Sequence, residues 1–440
     1  MTVEYLKKAG ARPAGEDPDT RDVVAAMLAE LDQGGEQVLR AYSRRLDDWD
    51  PESFVVDEQQ VRAAEAALPT TLRDDIVFAH RQVRAFADRQ RESLVDFELE
   101  LHPGLLVGQR HLPVAAAGCY VPGGRYAHIS SAAMSIATAK AAGVPTVVAC
   151  SPPRTTDGDR GIHPATLFAM AHAGADTIMC LGGVQAIAAM AFGHVTGISA
   201  DVLAGPGNRF VAEAKRLLFG RVGIDVFAGP TEALIVADDT ADPWLVAVDL
   251  VSQAEHGPDS PVVLVSTSRG VAEQVVGLVP DAIKQLPTPE VAEQSWESQG
   301  EVILADGRDE AARVVDGCAN EHVEVHAADL DWWANTLTSY GSLFLGEETT
   351  VTYGDKTSGP NHILPTRGAA RYTGGLWVGK FLRTVTQQRM TREANRDIAV
   401  VAARLSRAEG MEGHALSGDA RLAKYFPGET FQTATAVTRQ

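Results

Sequence analysis

Cysteine is scarce in this chain: Cys119, Cys150, Cys180 and Cys318 are four residues in 440, far apart and without a Cys-x-x-Cys. That spacing argues against a disulfide framework and for reduced, buried thiols in a cytoplasmic protein. Basic runs are missing too, and a formal charge of −19 argues against a nucleic-acid backbone as partner. No apolar stretch approaches the ~18 residues that suggest a membrane span, and Met1 to Lys8 lead into polar, Pro/Gly-rich sequence. Neither a secretory signal nor a membrane partner is expected. The phosphate-binding Gly-x-x-x-x-Gly-Lys-Ser/Thr is absent, which argues against a nucleotide-dependent transferase.

What is present is 45% apolar residues over 440 positions, enough for more than one core. From Thr20 to about Arg91, Val23, Met27, Leu28, Leu31, Val38, Tyr42 and Leu46 recur at spacings that predict amphipathic helices. Between Val114 and Ala237 short runs at 146–151, 177–181 and 233–237 read as buried strands, with Ala-rich helices at 131–142 and 185–193. The texture returns at 261–266, 270–286 and 301–305. Such alternation implies parallel strands joined by crossover helices. The expected fold is α/β: two doubly wound Rossmann-like units with a helical N-terminal segment and a helical C-terminal tail. The expected divisions are an N-terminal arm at 1–20, a first α/β domain from 21–119 and 231–380, a second, inserted domain at 120–230, and a tail at 381–440. The tail has too few apolar residues to fold alone. Pro13 to Pro18 is expected to be loosely held.

Gln253 and His256 stand three residues apart at the end of an apolar helical stretch, so both point off one face. A neutral imidazole is the commonest protein metal ligand and a carbonyl oxygen can join it. A solvent-facing polar helix end is the plainer reading of that pair alone. Glu321-His322 joins a carboxylate to an imidazole, the groups most often tuned for proton transfer. On a strand they would face opposite ways, and at an irregular turn both can reach one cavity; a solvated pair is again the plainer alternative. Residues 353–375 read as loop. Within them Asp355 follows Gly354, as His414 follows Gly413 further on, each glycine giving room for close approach, and His362 reads as a substrate contact or a turn residue. Tyr120-Val-Pro-Gly-Gly124, Gly182-Gly-Val-Gln185 and Ala204-Gly-Pro-Gly-Asn208 follow predicted strands, where doubly wound sheets bind ligands. None is Gly-x-Gly-x-x-Gly, and ordinary turn chemistry explains each alone.

Taken in order, these segments resemble the histidinol dehydrogenase family from about Thr20 to Tyr425. The likeness is carried by 119–124, Gly182-Gly-Val-Gln-Ala-Ile187, Gly205-Pro-Gly-Asn208, Ser252-Gln-Ala-Glu-His-Gly-Pro-Asp-Ser260, Glu321-His322, Gly354-Asp355, Gly359-Pro-Asn-His-Ile-Leu-Pro365 and a terminal Glu-x-x-x-x-His. The resemblance implies a cytoplasmic homodimer with sites shared between subunits, using Zn2+ and NAD to take a primary alcohol through an aldehyde to a carboxylate. It implies zinc on Gln253, His256, Asp355 and His414, the last lent by the other subunit. NAD contacts fall on Tyr120, Gln185 and Asn208 in the inserted domain. Substrate contacts fall on Thr231, Gln253, His256, His322, Asp355, His362, Glu409 and His414. His322 is then the base of the alcohol step and Glu321 the activator of water for the aldehyde step. Thr231 replaces the usual Ser, and Asn320 the Pro that usually precedes Glu-His. Arg125-Tyr-Ala-His128, Thr373 to Phe381 and Glu4 to Lys8 look more like the family's sulfopropanediol dehydrogenases, which convert 2,3-dihydroxypropane-1-sulfonate to sulfolactate, than like its histidine-biosynthetic enzymes. Arg125, His128, Lys356 and Arg367 are candidate partners for a sulfonate. Oxidation of L-histidinol to L-histidine is the alternative, and a catalytically silent ligand-binding relative the remote one.

Overall fold

The structure, a computed structural model, describes residues 3–10, 18–123, 127–154, 160–227 and 229–434. Arg125 and most of the Pro13 to Pro18 stretch lie outside them. The chain divides into two compact units, one from Met1–Arg91 and Pro113–Phe381, the other from Glu92–Leu112 and Leu382–Gln440.

The first unit contains two sheets. Six strands of the larger lie in the order Glu4–Lys7, Glu301–Leu304, Val262–Ser266, Ala233–Ala237, His322–His326, Ser342–Leu345. All pair in parallel except Glu4–Lys7, which adds an antiparallel edge. The smaller runs Thr177–Cys180, Thr146–Ser151, Ala116–Tyr120, Val202–Ala204, Gly223–Ile224, parallel throughout. Ala233–Ala237 and Val262–Ser266 are buried at every position, which explains continuous apolar runs in place of alternation. The helix Gly183–Phe192 is buried on all sides and is correspondingly apolar all round.

Two local expectations need correction. In the helix Pro18–Asp47, Val24 and Leu39 are fully buried while Val23 and Leu46 are about half exposed. Gly35, at φ 57° and ψ −146°, interrupts the helix, so a single helical phase does not run through both halves. The C-terminal segment is not wholly helical either. Leu382–Met390 is a strand, hydrogen-bonded to Leu105–Pro113, which pairs in turn with Phe97–His102. Its residues are mostly exposed, so no buried apolar face marks it in the sequence. The tail therefore shares its unit with a hairpin from 92–112. Its helices Arg392–Ala408 and Glu412–Tyr425 meet closely at Gly418, where a Cβ would stand 2.9 Å from the Ala399 carbonyl oxygen.

Candidate functional site

Ala233 and His322 are register partners at the amino ends of adjacent parallel strands. The residues just before them, Glu232 and Glu321, are thereby brought side by side. The Glu232 N–H donates to Glu321 Oε2 at 3.0 Å. The Glu232 carbonyl accepts from the His322 backbone N–H at 3.2 Å and from its ring Nδ1 at 3.3 Å. A carbonyl can only accept, so the imidazole proton sits on Nδ1 and the lone pair on Nε2. That Nε2 is buried without a hydrogen-bond partner. His322 lines a cavity of about 210 Å³ with Phe344, Asp355, Asn361 and His362. Burial holds its pKa below the usual histidine value, so the ring is neutral, the form a base requires.

Of the two arrangements open to this adjacent pair, Glu321 takes the one in which it does not share the cavity with His322. It packs on the Nδ1 side of His322, Oε2 to Nδ1 3.7 Å, and is not among the cavity-lining residues. Burial raises its carboxyl well above the ordinary range; the Glu232 N–H opposes this, and the carboxylates of Glu232 and Asp355 reinforce it. Asn320 is held despite lacking a proline ring: its carbonyl accepts from Gly341 N–H at 3.1 Å, and the Glu321 carbonyl from Ser342 N–H at 2.9 Å. Glu232 is the residue that sequence reasoning missed. Only the pairing of two strands about 90 positions apart reveals it.

Gln253 lies in the last turn of the helix Pro243–Ala254, whose start is fixed by Pro243 and by the Asp242 side chain accepting from Trp244 N–H at 2.7 Å. The Gln253 Oε1 is buried and unpartnered. His256 follows the helix, with Nε2 4.0 Å from Asp355 Oδ2. Asp355 is not on a loop, as the sequence suggested, but on a short helix, Val351–Lys356. Its Oδ1 lies 3.6 Å from His362 Nδ1 and 3.9 Å from His322 Nε2. These separations are too long for hydrogen bonds. Burial pushes the Asp355 carboxyl up, yet His362, His322, Lys356 and His256 together hold it below the usual range. An orphaned amide oxygen, an imidazole and a carboxylate form a donor set that suits zinc.

Gly354 makes room for close approach, and what approaches is the Phe344 ring, which a Cβ there would meet at 2.5 Å; Gly413 stands in open space. His362 is fully engaged. Its Nδ1–H donates to the Asp355 carbonyl at 3.1 Å, and its Nε2 accepts from Ser131 Oγ at 3.0 Å. Ser131 stands two residues before a π-helical turn, Ala133–Ala137, a departure that often accompanies functional sites. Thr231 is half-buried, one residue before Glu232. Glu409 and His414 are exposed residues of the second unit, just past Arg392–Ala408 and in the first turn of Glu412–Tyr425. Among the sulfonate candidates, His128 is drawn down to about 4 by burial, Lys356 and Arg367 are exposed, and Arg125 lies outside the described residues.

Tyr120, Gln185 and Asn208 gather at the carboxyl ends of the five-stranded sheet. The Tyr120 hydroxyl accepts from Gly183 N–H at 3.3 Å. Gln185 is fully buried, its Nε2 donating to Asp47 Oδ2 at 2.7 Å and its Oε1 unpartnered. Asn208 caps Arg209–Leu218, its side-chain Oδ1 accepting from Phe210 N–H and Val211 N–H. The loop before it is tightly shaped: Gly205 has φ 118°, and a Cβ there would come within 1.9 Å of the Tyr120 carbonyl oxygen. Its N–H donates to Asp225 Oδ2 at 2.7 Å and its carbonyl accepts from Lys215 Nζ at 2.8 Å. Lys215 and Asp225 themselves form a buried ion pair. Lys215→Met, which strands the Asp225 charge, is expected to cost about 3–5 kcal/mol in denaturant unfolding. A change near zero would show that the pair does not hold this loop.

The histidinol dehydrogenase family model matches residues 11–422. A histidinol dehydrogenase homolog from Ruegeria pomeroyi is 56% identical over 97% of this chain and 98% of its own length. A sulfopropanediol 3-dehydrogenase from the same organism is 53% identical, over 98% of this chain and 99% of its own. The crystal structure of histidinol dehydrogenase from Elizabethkingia anophelis superposes with a TM-score of 0.88 at 31% identity, covering 94% of each chain. Matched by the family model over residues 11–422 and by relatives more than half identical over nearly its whole length, this chain belongs to the histidinol dehydrogenase family.

Proposed function

We propose that the protein is a cytoplasmic, zinc- and NAD-dependent dehydrogenase that oxidises 2,3-dihydroxypropane-1-sulfonate through its aldehyde to sulfolactate. The observation that carries the reaction type is His322: a neutral ring, its proton committed to the Glu232 carbonyl, offering Nε2 beside Asp355 in a cavity. Such a group accepts the hydroxyl proton as hydride leaves the adjacent carbon. Gln253, His256 and Asp355 are the ligands of the zinc, joined by His414 of a second copy. When bound, zinc supplies Lewis acidity and an anchor for the substrate's oxygens, and NAD the hydride acceptor. Glu321 takes a proton from water in the second oxidation, and His362, held at both nitrogens, orients the substrate.

For NAD, the support is a positive helix end at Asn208, glycine loops at the carboxyl ends of parallel strands, and the unsatisfied Gln185 Oε1. The sulfonated substrate is supported by the full-length 53% identity to the sulfopropanediol 3-dehydrogenase. Arg125, Lys356 and Arg367 are its candidate cationic partners, and His128, neutral through burial, a candidate N–H donor. L-histidinol is the second reading, favoured by the 0.88 superposition on a histidinol dehydrogenase. Purified enzyme is expected to form two NADH per dihydroxypropanesulfonate consumed and little with histidinol, read by absorbance and product analysis. Preferred turnover of histidinol overturns the substrate reading; no NADH from either overturns the activity.

A further inference from the structure

Next to the site, one potential ligand atom each from Asp249, Glu324 and His326 lies within 4.8 Å of the others. His326 Nε2 is 3.6 Å from Asp249 Oδ2 and from Glu324 Oε2. Glu324 and His326 are each 2% exposed, so the cluster is interior. Each member hangs on an element that also carries a site residue. Asp249 is one helical turn before Gln253 on Pro243–Ala254. Glu324 and His326 follow His322 on one strand at steps of two, hence on the same face.

The two carboxylates also reach the third element. Glu324 Oε1 accepts from Val351 N–H, and Asp249 Oδ1 accepts from Thr350 Oγ1 at 2.9 Å. Thr350 is the N-cap and Val351 the first residue of the helix that carries Asp355. Thr350 caps nothing within that helix itself.

We propose that Asp249 and Glu324, which flank His326, are positioning residues that set the spacing of Gln253, His322 and Asp355. A helix of six residues with a glycine at 354 has little stability of its own. Its orientation, and so that of Asp355, depends on what grips its first turn. A carboxylate there satisfies an orphan N–H and opposes the helix dipole. Glu324 is buried and Asp249 partly so, and losing either carboxylate leaves its partner at the start of that helix, Val351 N–H or Thr350 Oγ1, without an acceptor.

The proposal rests on the reading that Gln253, His256 and Asp355 hold zinc, and its test separates the two. In full-length protein, zinc affinity is measured by chelator competition and NAD affinity by fluorescence. Glu324→Ala is expected to weaken zinc by about 10- to 100-fold with NAD binding unchanged. Glu324→Gln, which keeps an acceptor for Val351 N–H, restores most of it. Thr350→Val removes a single hydroxyl and provides the measurement should Glu324→Ala fail to fold; it weakens zinc several-fold. Wild-type zinc affinity in Thr350→Val, or parallel loss of zinc and NAD in Glu324→Ala, overturns the clamp. So does a second zinc equivalent that disappears with His326→Gln, since the cluster would then itself be an ion site. His256→Ala tests the underlying reading: unaltered zinc binding there removes it whatever the clamp variants do.

Discussion

Glu321→Gln is expected to slow aldehyde oxidation by about 10²- to 10⁴-fold while leaving reduction of the aldehyde to the alcohol near its wild-type rate. The substitution keeps size and an acceptor for the Glu232 N–H, 3.0 Å away in the native chain, but removes the basic carboxylate. Aldehyde oxidation needs water added first, and reduction does not. Burial raises the Glu321 carboxyl, so its protonated form persists to higher pH than that of an exposed glutamate. Only the deprotonated form acts as a base. The aldehyde step should therefore gain rate as pH rises through that elevated value, and this limb should vanish in the variant. Rapid-mixing assays of each half-reaction across pH decide the matter. Equal loss in both directions would reduce Glu321 to a support for His322, the role its 3.7 Å approach to Nδ1 also allows.

His256→Ala and His414→Ala should each be nearly inactive and depleted of zinc. His256 belongs to the first unit and His414 to the second. If each copy lends its His414 to the other, refolding an equal mixture makes roughly half the dimers mixed, each with one doubly damaged site and one intact. About a quarter of wild-type activity should return. Chain exchange shown by mass, without recovered activity, would place His414 in its own copy's site or outside the chemistry.

Features confined to one element were legible in the sequence. Gln253 and His256 share a helix end, and the glycine loops follow strands, because period and turn chemistry act over a few residues. Glu321-His322 was visible as a pair but not as an arrangement. Local patterns also failed where the signal was weak: Val351–Lys356 contains a glycine and passed for loop, and Leu382–Met390 has too little buried apolar alternation to read as a strand.

By its own order of residues, the sequence determined the α/β texture, the donor types available to a metal and the family. The tertiary structure alone decided which nitrogen of His322 is free, that Glu321 stands behind the ring, and that Asp249 and Glu324 grip the helix of Asp355. Those facts depend on contacts such as Asp249 to Thr350, 101 positions apart, and Glu232 to His322, 90 apart. No local period encodes such contacts. They arise when parallel strands pair in register and burial makes each polar group find the partner that geometry leaves it.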